Sequence, residues 1–220
     1  MKGKLLAIES STECCSVALR VGDDVLERSA IEPRSHARLI LPWAEELLGE
    51  AGIKWSGLDG LVVSRGPGGF TSLRIGLGIV QGIALAHDLP VHPVSSLATL
   101  AASADPGHKT ERLLALLDAR MGEVYAAWFH SVDGQRKRIG EEQLLAPNRL
   151  VAPDQEPWLA AGPGAAAYSQ QVTEALGPQI AISEQSAWPQ ATALLHLADS
   201  VEPVPGHQLT PVYLRDHVTG

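Results

Sequence analysis

The sequence predicts an α/β protein of two lobes, with mixed sheets and flanking helices; an α+β arrangement is the alternative. Three observations carry this reading. Short apolar runs joined by tight turns open the chain, helical stretches then alternate with further apolar runs, and the same hairpin-then-helix order restarts beyond a polar break at residues 105–109.

Leu5-Leu6-Ala7-Ile8 has the apolar density of a buried strand. Ser16–Arg20 and Asp24–Arg28 follow as strands, with Gly22-Asp23 as the tight turn between them. A helix is expected from about Ser35, a candidate N-cap, to Leu48, with Gly49 as its stop. Pro42 should kink it, because the ring clashes with the carbonyl four residues back. Leu61-Val62-Val63 is a fourth strand; it runs into the glycine-rich turn Ser64–Phe70, and a second helix leaves that turn over about Thr71–His87. Leu89–Val94 reads as a short edge strand, since Pro90 and Pro93 cannot donate to a central ladder. A helix over Ser96–Ser103 then leads to the polar, Pro/Gly-bearing break at Asp105–Lys109, which divides a first lobe, 1–104, from a second lobe, 105–220. There, Arg112–Leu117 and Glu123–Phe129 are apolar strands around Asp118–Gly122. Residues 144–185, rich in Pro, Gly and Ala, carry little pattern beyond a helix near Ala165–Leu176. Ala191–Ser200 is a short helix and Pro211–Leu214 an extended end.

Composition narrows the function classes. Hydrophobic residues at 45% and charged residues at 19% are globular values. A formal charge of -8 and 5% aromatics give neither the basic footprint nor the stacking surface of a chain that grips RNA by itself. Arg136-Lys137-Arg138, after Asp133-Gly134, reads as a solvated hairpin tip. Cys14 and Cys15 are adjacent, a poor geometry for a disulfide, and suit a reducing compartment. Leu5–Ile8 is too short for a signal-peptide core, and no window approaches the roughly 20 apolar residues of a membrane span, so a cytoplasmic protein is expected.

Two turns could carry chemistry. Gly66-Pro67-Gly68-Gly69 ends a strand and opens a helix, where free amides at the positive end of the helix dipole suit a phosphate or carboxylate. It matches neither the P-loop nor the dinucleotide fingerprint, and a ligand-free strand-to-helix joint satisfies the same pattern. Ile8-Glu9-Ser10-Ser11-Thr12 offers hydroxyls and a carboxylate, either for a nucleotide phosphate and its metal or for a hairpin held by side-chain-to-backbone bonds.

The helices carry a different message. At about 100° per residue, Leu39, Ile40, Leu41, Trp43, Ala44, Leu47 and Leu48 cover roughly 200° of arc, where a one-sided surface helix needs a little over about 100°. On the second helix only Arg74 and Gln81 interrupt the apolar surface, and Gly78 and Gly82 admit a close neighbour. Either this chain buries the surplus or a protein partner does. Catalytic patterns are thin. The eight histidines form no HExxH and no helical ligand pair; Glu9, Asp118 and Glu123 lie near turns without evident pairing, Cys14 has no visible base, and there is no Gly-x-Ser-x-Gly elbow.

With these segments placed, the chain resembles the bacterial TsaB family, also called YeaZ. The resemblance lies in Leu6–Thr12 with Cys15–Leu19, in Gly66-Pro67-Gly68-Gly69-Phe70-Thr71-Ser72-Leu73-Arg74-Ile75-Gly76, in Asp118–Tyr125 and in Pro211–Arg215, in that order; residues 131–190 match loosely. It implies the two-lobed fold of actin, sugar kinases and heat-shock ATPases. It also implies a non-catalytic scaffold for a TsaD-type transferase, which places threonylcarbamoyl on an adenosine beside the tRNA anticodon. A TsaE-type ATPase joins the pair, and a homodimer forms through the same surface when the transferase is absent. TsaD-like enzymes carry two metal-ligating histidines, spaced by four, where this chain has Ser96 and Leu100, so no metal and no catalysis by this chain are expected. The docking surface is expected at His36, Leu39, Ile40, Trp43, Leu47, Ile75, Ile79 and Ile83, and an anion or nucleotide, if any, at Gly66, Gly68, Gly69, Ser11 and Thr12. No cofactor is required by the chain itself; ATP or ADP belongs to the complex, tRNA is met only through it, and no membrane is involved. A protease or small-molecule kinase is the competing reading.

Overall fold

The structure, a computed structural model, describes residues 3–107, 109–132 and 135–215. It divides into two compact units, Met1–Thr99 with Pro189–Val212 and Leu100–Trp188 with Tyr213–Gly220.

In the first unit, β1 (Leu5–Glu9), β2 (Cys14–Val21) and β3 (Asp24–Ile31) form an antiparallel meander. β4 (Gly60–Ser64) and β5 (Pro90–Val94) extend the sheet in parallel on the other side of β1. Each parallel crossing passes through a helix, α1 (His36–Glu50) before β4 and α2 (Phe70–His87) before β5, and α3 (Ser96–Ala104) follows. Successive strand residues point to opposite faces. Leu6 and Ile8 therefore join Val17, Leu19, Leu61 and Val63 against α1 and α2. Leu5 and Ala7 join Ala18 and Val62 against the helix Ala191–Leu197. That helix is held by its first amides: Ala191 N donates to Ser16 Oγ at 2.8 Å and Thr192 N to Glu27 at 3.2 Å.

The second unit is built on a longer meander, β6 (Arg112–Arg120), β7 (Glu123–Val132) and β8 (Gln135–Leu145), with β9 (Trp158–Ala161) parallel to β6 and β10 (Ile180–Ile182) parallel to β9. α4 (Pro163–Ala167) and α5 (Ser169–Leu176) cover it. Trp128 meets Trp158 edge-on at 4.8 Å over a core with Leu114, Val124, Val172 and Leu176. Arg136 and Asp105 form a buried ion pair at 2.6 Å. The helix Ala191–Leu197 is α6, and the strand Val204–Pro205, β11, pairs with β5.

Several sequence expectations change here. The boundary falls between Thr99 and Leu100, and residues 189–212, placed by sequence in the second lobe, pack in the first unit. β5 is not the edge of its sheet; it tolerates Pro90 and Pro93 because its outer neighbour β11 spans only two residues. The helix expected over 165–176 breaks at Tyr168, and that over 191–200 tightens to a 3₁₀ turn after Leu197. Ser35 makes no cap bond; its hydroxyl donates to Glu32 O at 2.5 Å. Arg136 is no solvated tip residue, while the tip itself, 133–134, and His108 and His217 lie outside the described residues. α2 is, by length and composition alone, apolar enough to cross a membrane, contrary to expectation. In the fold, its Leu73, Leu77, Val80 and Ile83 close the core over β4.

Candidate docking surface

α1 turns its two flanks to different neighbours. Glu46 and Glu50 both reach Arg28 on β3, the former at 3.6 Å. At the helical repeat, half-buried Leu39 and Trp43 share that flank. Leu41, 41% exposed, and Ala37 lie on the opposite flank, and α1 packs against α2.

The outward side of α2 is almost free of polarity. Gly78, Gly82, Leu85 and Ala86 are exposed, Ile75 and Ile79 half-buried, and no charged residue occurs from Ile75 to Ala86. Leu85 is 85% exposed, and a Cβ built on Gly78 or Gly82 would meet nothing within 4 Å. The far flank is taken: Gln81 donates to Leu209 O at 2.9 Å, and Gly206 sits against Ala84. Near the N-terminal end, the Arg74 guanidinium lies 3.6 Å over the ring of exposed Phe70. Single exposed apolar residues are ordinary on a surface, but a contiguous stripe of them marks an interaction site.

Burial takes several of the residues expected on that surface into the chain's own interior. Ile40 and Leu47 are fully buried, and His36 and Ile83 nearly so, all in this chain's own core or turns. Leu39 and Trp43 are half-buried on the flank of Glu46 and Glu50. Ile75 and Ile79 are half-buried on α2, with Gly78, Gly82 and Leu85 exposed along the same helix. The signal for Leu85 was available, since it follows Gly78 and Gly82 by seven and three residues on one helical face.

The two turns thought able to hold an anion pack on each other at the carboxyl ends of β1 and β4. A Cβ on Gly68 would overlap the carbonyl of Ser11, Gly69 N donates to that carbonyl at 2.7 Å, and Gly66, at φ +108°, lies against Val212 O. Fully buried Glu9 accepts through Oε1 from Ser11 N at 2.6 Å and from Ser64 Oγ at 2.9 Å. Burial drives its carboxyl above the ordinary 4.5 against these donors. Thr12 Oγ1 accepts from Cys14 N at 3.2 Å, and Thr12 O pairs with His36 Nε2 at 2.8 Å; burial holds the His36 imidazole below its usual value. Glu9 Oε2 and the hydroxyls of Ser10, Ser11 and Ser96 are buried with no hydrogen-bond partner among the described residues.

The other titratable groups have structural occupations. Asp118 accepts from Arg120 N at 2.8 Å and from Tyr168 Oη at 3.2 Å, and Glu123 pairs with Arg215 at 2.7 Å. Burial pushes the thiols of Cys14 and Cys15 up to about 11 and about 12. Ser96 and Leu100 on α3 are buried, one hydroxyl and one hydrocarbon. Among the described residues no group of three or more His, Cys, Asp or Glu is placed to hold a metal ion. An open groove on the second unit, about 600 Å³, is lined by residues such as Trp128, Ile139, Leu145, Arg149 and Val151, with no Ser, Cys or His.

Comparison with known proteins gives a consistent result. The family described as TsaD, tRNA N6-adenosine threonylcarbamoyltransferase, matches residues 29–202. The chain is 37% identical over 233 residues to the tRNA threonylcarbamoyladenosine biosynthesis protein TsaB of Haemophilus influenzae, across 98% of the chain and 94% of that protein. It is 29% identical to TsaB of Bacillus subtilis across 96% and 93%. The solved structure of YeaZ from Pseudomonas aeruginosa superposes with a TM-score of 0.87 at 39% identity, over 96% of this chain and all of that one. Another, of an uncharacterized Pseudomonas aeruginosa protein with similarity to peptidase YEAZ, gives 0.88 at 40% identity over 97% and 100%. The two mixed sheets with their flanking helices fit the two-lobed, actin-like α/β class.

Proposed function

Since the chain belongs to the TsaB family of tRNA threonylcarbamoyladenosine biosynthesis proteins, we propose that it is a non-catalytic scaffold subunit that docks and supports a TsaD-type transferase. A part in that pathway comes with the family. The scaffold role rests on one observation, the outward face of α2, uncharged from Ile75 to Ala86 and exposed at Gly78, Gly82 and Leu85. A helix face of this kind, carrying two glycines where a Cβ would be free of contact, fits a second helix laid close along it.

The chemistry of the remaining residues supports a subunit without a reaction of its own. A peptidase needs a nucleophile poised beside a base, whereas both thiols here are buried and held protonated. The pair Ser96 and Leu100 offers no imidazole to a metal. Recognition of tRNA, and any use of ATP or ADP with a TsaE-type ATPase, then belongs to the cytoplasmic complex, and this acidic chain meets RNA only within it.

Size-exclusion chromatography with light scattering tests the reading. The chain alone should run as a homodimer through the same face, and mixing with a TsaD-type transferase should convert it to a heterodimer. A mixture that elutes as its separate components rejects docking.

A further inference from the structure

The peptide from Ser11 to Thr12 is tied to the starts of both helices of the docking face. β1 ends at Glu9, and the chain must turn before entering β2, which takes the Ser11 amide out of the ladder. The Glu9 carboxylate captures that amide at 2.6 Å and is itself anchored to β4 by Ser64 at 2.9 Å. With Ser11 fixed, its carbonyl receives Gly69 N at 2.7 Å, immediately ahead of α2. The next carbonyl, of Thr12, receives His36, the first residue of α1, at 2.8 Å. Neither helix has a side-chain cap bond of its own; the turn partners the Gly69 amide at the start of α2 and holds α1 through the imidazole of its first residue, His36, rather than through a helix amide. Ser10 adds a steric contact to α2, since its hydroxyl occupies the space that a Cβ on Gly76 would need.

We propose that Glu9 is a positioning residue: through the Ser10–Thr12 turn it sets the first turns of α1 and α2 against each other and thereby shapes the docking face. The consequence for binding rests on the docking function proposed above; the coupling of the two helices rests on these hydrogen bonds alone.

Hydrogen–deuterium exchange on the full chain reads the coupling without a partner. Glu9→Leu should speed exchange about tenfold in both segments 36–42 and 69–75. Glu9→Gln, whose side-chain oxygen still accepts from Ser11 and Ser64, should restore both. Should Glu9→Leu not fold, Ser64→Ala removes one anchor of the carboxyl and should loosen both segments to a smaller degree. Acceleration confined to residues 9–14, or Glu9→Gln behaving like the leucine variant, overturns the proposal. Calorimetry with a TsaD-type transferase reads the consequence: about tenfold weaker binding for Glu9→Leu, with recovery in Glu9→Gln. Altered exchange with unchanged affinity would remove the docking function and leave the coupling; weakened affinity without altered exchange would remove the coupling.

Discussion

The carbonyl of Ser11 accepts the amide of Gly69 at 2.7 Å, and the neighbouring Gly68 approaches the same carbonyl too closely for any Cβ. The glycine turn is therefore a joint between two loops of one chain. Gly68→Ala should cost about 1–3 kcal/mol in urea unfolding, because backbone must move to admit the methyl group. Gly78→Ala, in open space on α2, should leave stability unchanged or raise it by up to about 1 kcal/mol.

Glu9 gives a pH signature of definite sign. Burial raises its carboxyl above 4.5, so the folded chain keeps the proton to a higher pH than the unfolded chain does. This group's contribution is neutral below pH 4.5 and weakens folding progressively as the pH rises toward the folded-state value. Glu9→Gln should thus be the more stable protein at neutral pH, and the gain should vanish on acidification to about pH 4.5. Glu9→Leu should instead lose roughly 1–3 kcal/mol for each buried donor it strands.

The Asp105–Arg136 pair has the opposite sign. Burial opposes ionisation of Asp105, but the amides of Thr110 and Lys109 and the Arg136 guanidinium outweigh it and hold the carboxyl below 3.8. Its stabilisation is complete above pH 3.8 and is lost as the pH falls through the lower folded-state value. Asp105→Asn strands a buried guanidinium and should cost about 3–5 kcal/mol at neutral pH. In acid titrations the gap between variant and parent should close below pH 3.8.

Cys14 and Cys15 should be inert in the folded protein. Both are buried with raised thiols, and the thiolate is the reactive form. A thiol reagent at pH 8 should modify neither until denaturant is added; rapid modification of one in the native state would show that β2 is accessible.

How far the sequence discloses all this depends on how each segment is buried. β1, β2, β4 and the inward faces of α1 and α2 are legible because their apolar residues are covered on the faces that the periodicity picks out. β8 is not, because Gln135–Leu145 is an edge strand of alternating partial exposure, rich in Arg, Lys and Glu. β9, β10 and β11 span only four, three and two residues and leave almost no pattern. The proposed docking face is half legible. A helical wheel shows that α1 carries surplus apolar arc, but only the fold shows that the flank of Glu46 and Glu50 meets β3 through Arg28.

Leu85 is the most direct test of the central claim. It is 85% exposed on α2, so Leu85→Asp should leave the thermal midpoint of the free chain unchanged. In calorimetric titration against a TsaD-type transferase, the parent should bind saturably and Leu85→Asp should lose on the order of 100-fold in affinity, as a central interface residue does. Binding of Leu85→Asp with the parent's affinity would contradict the account.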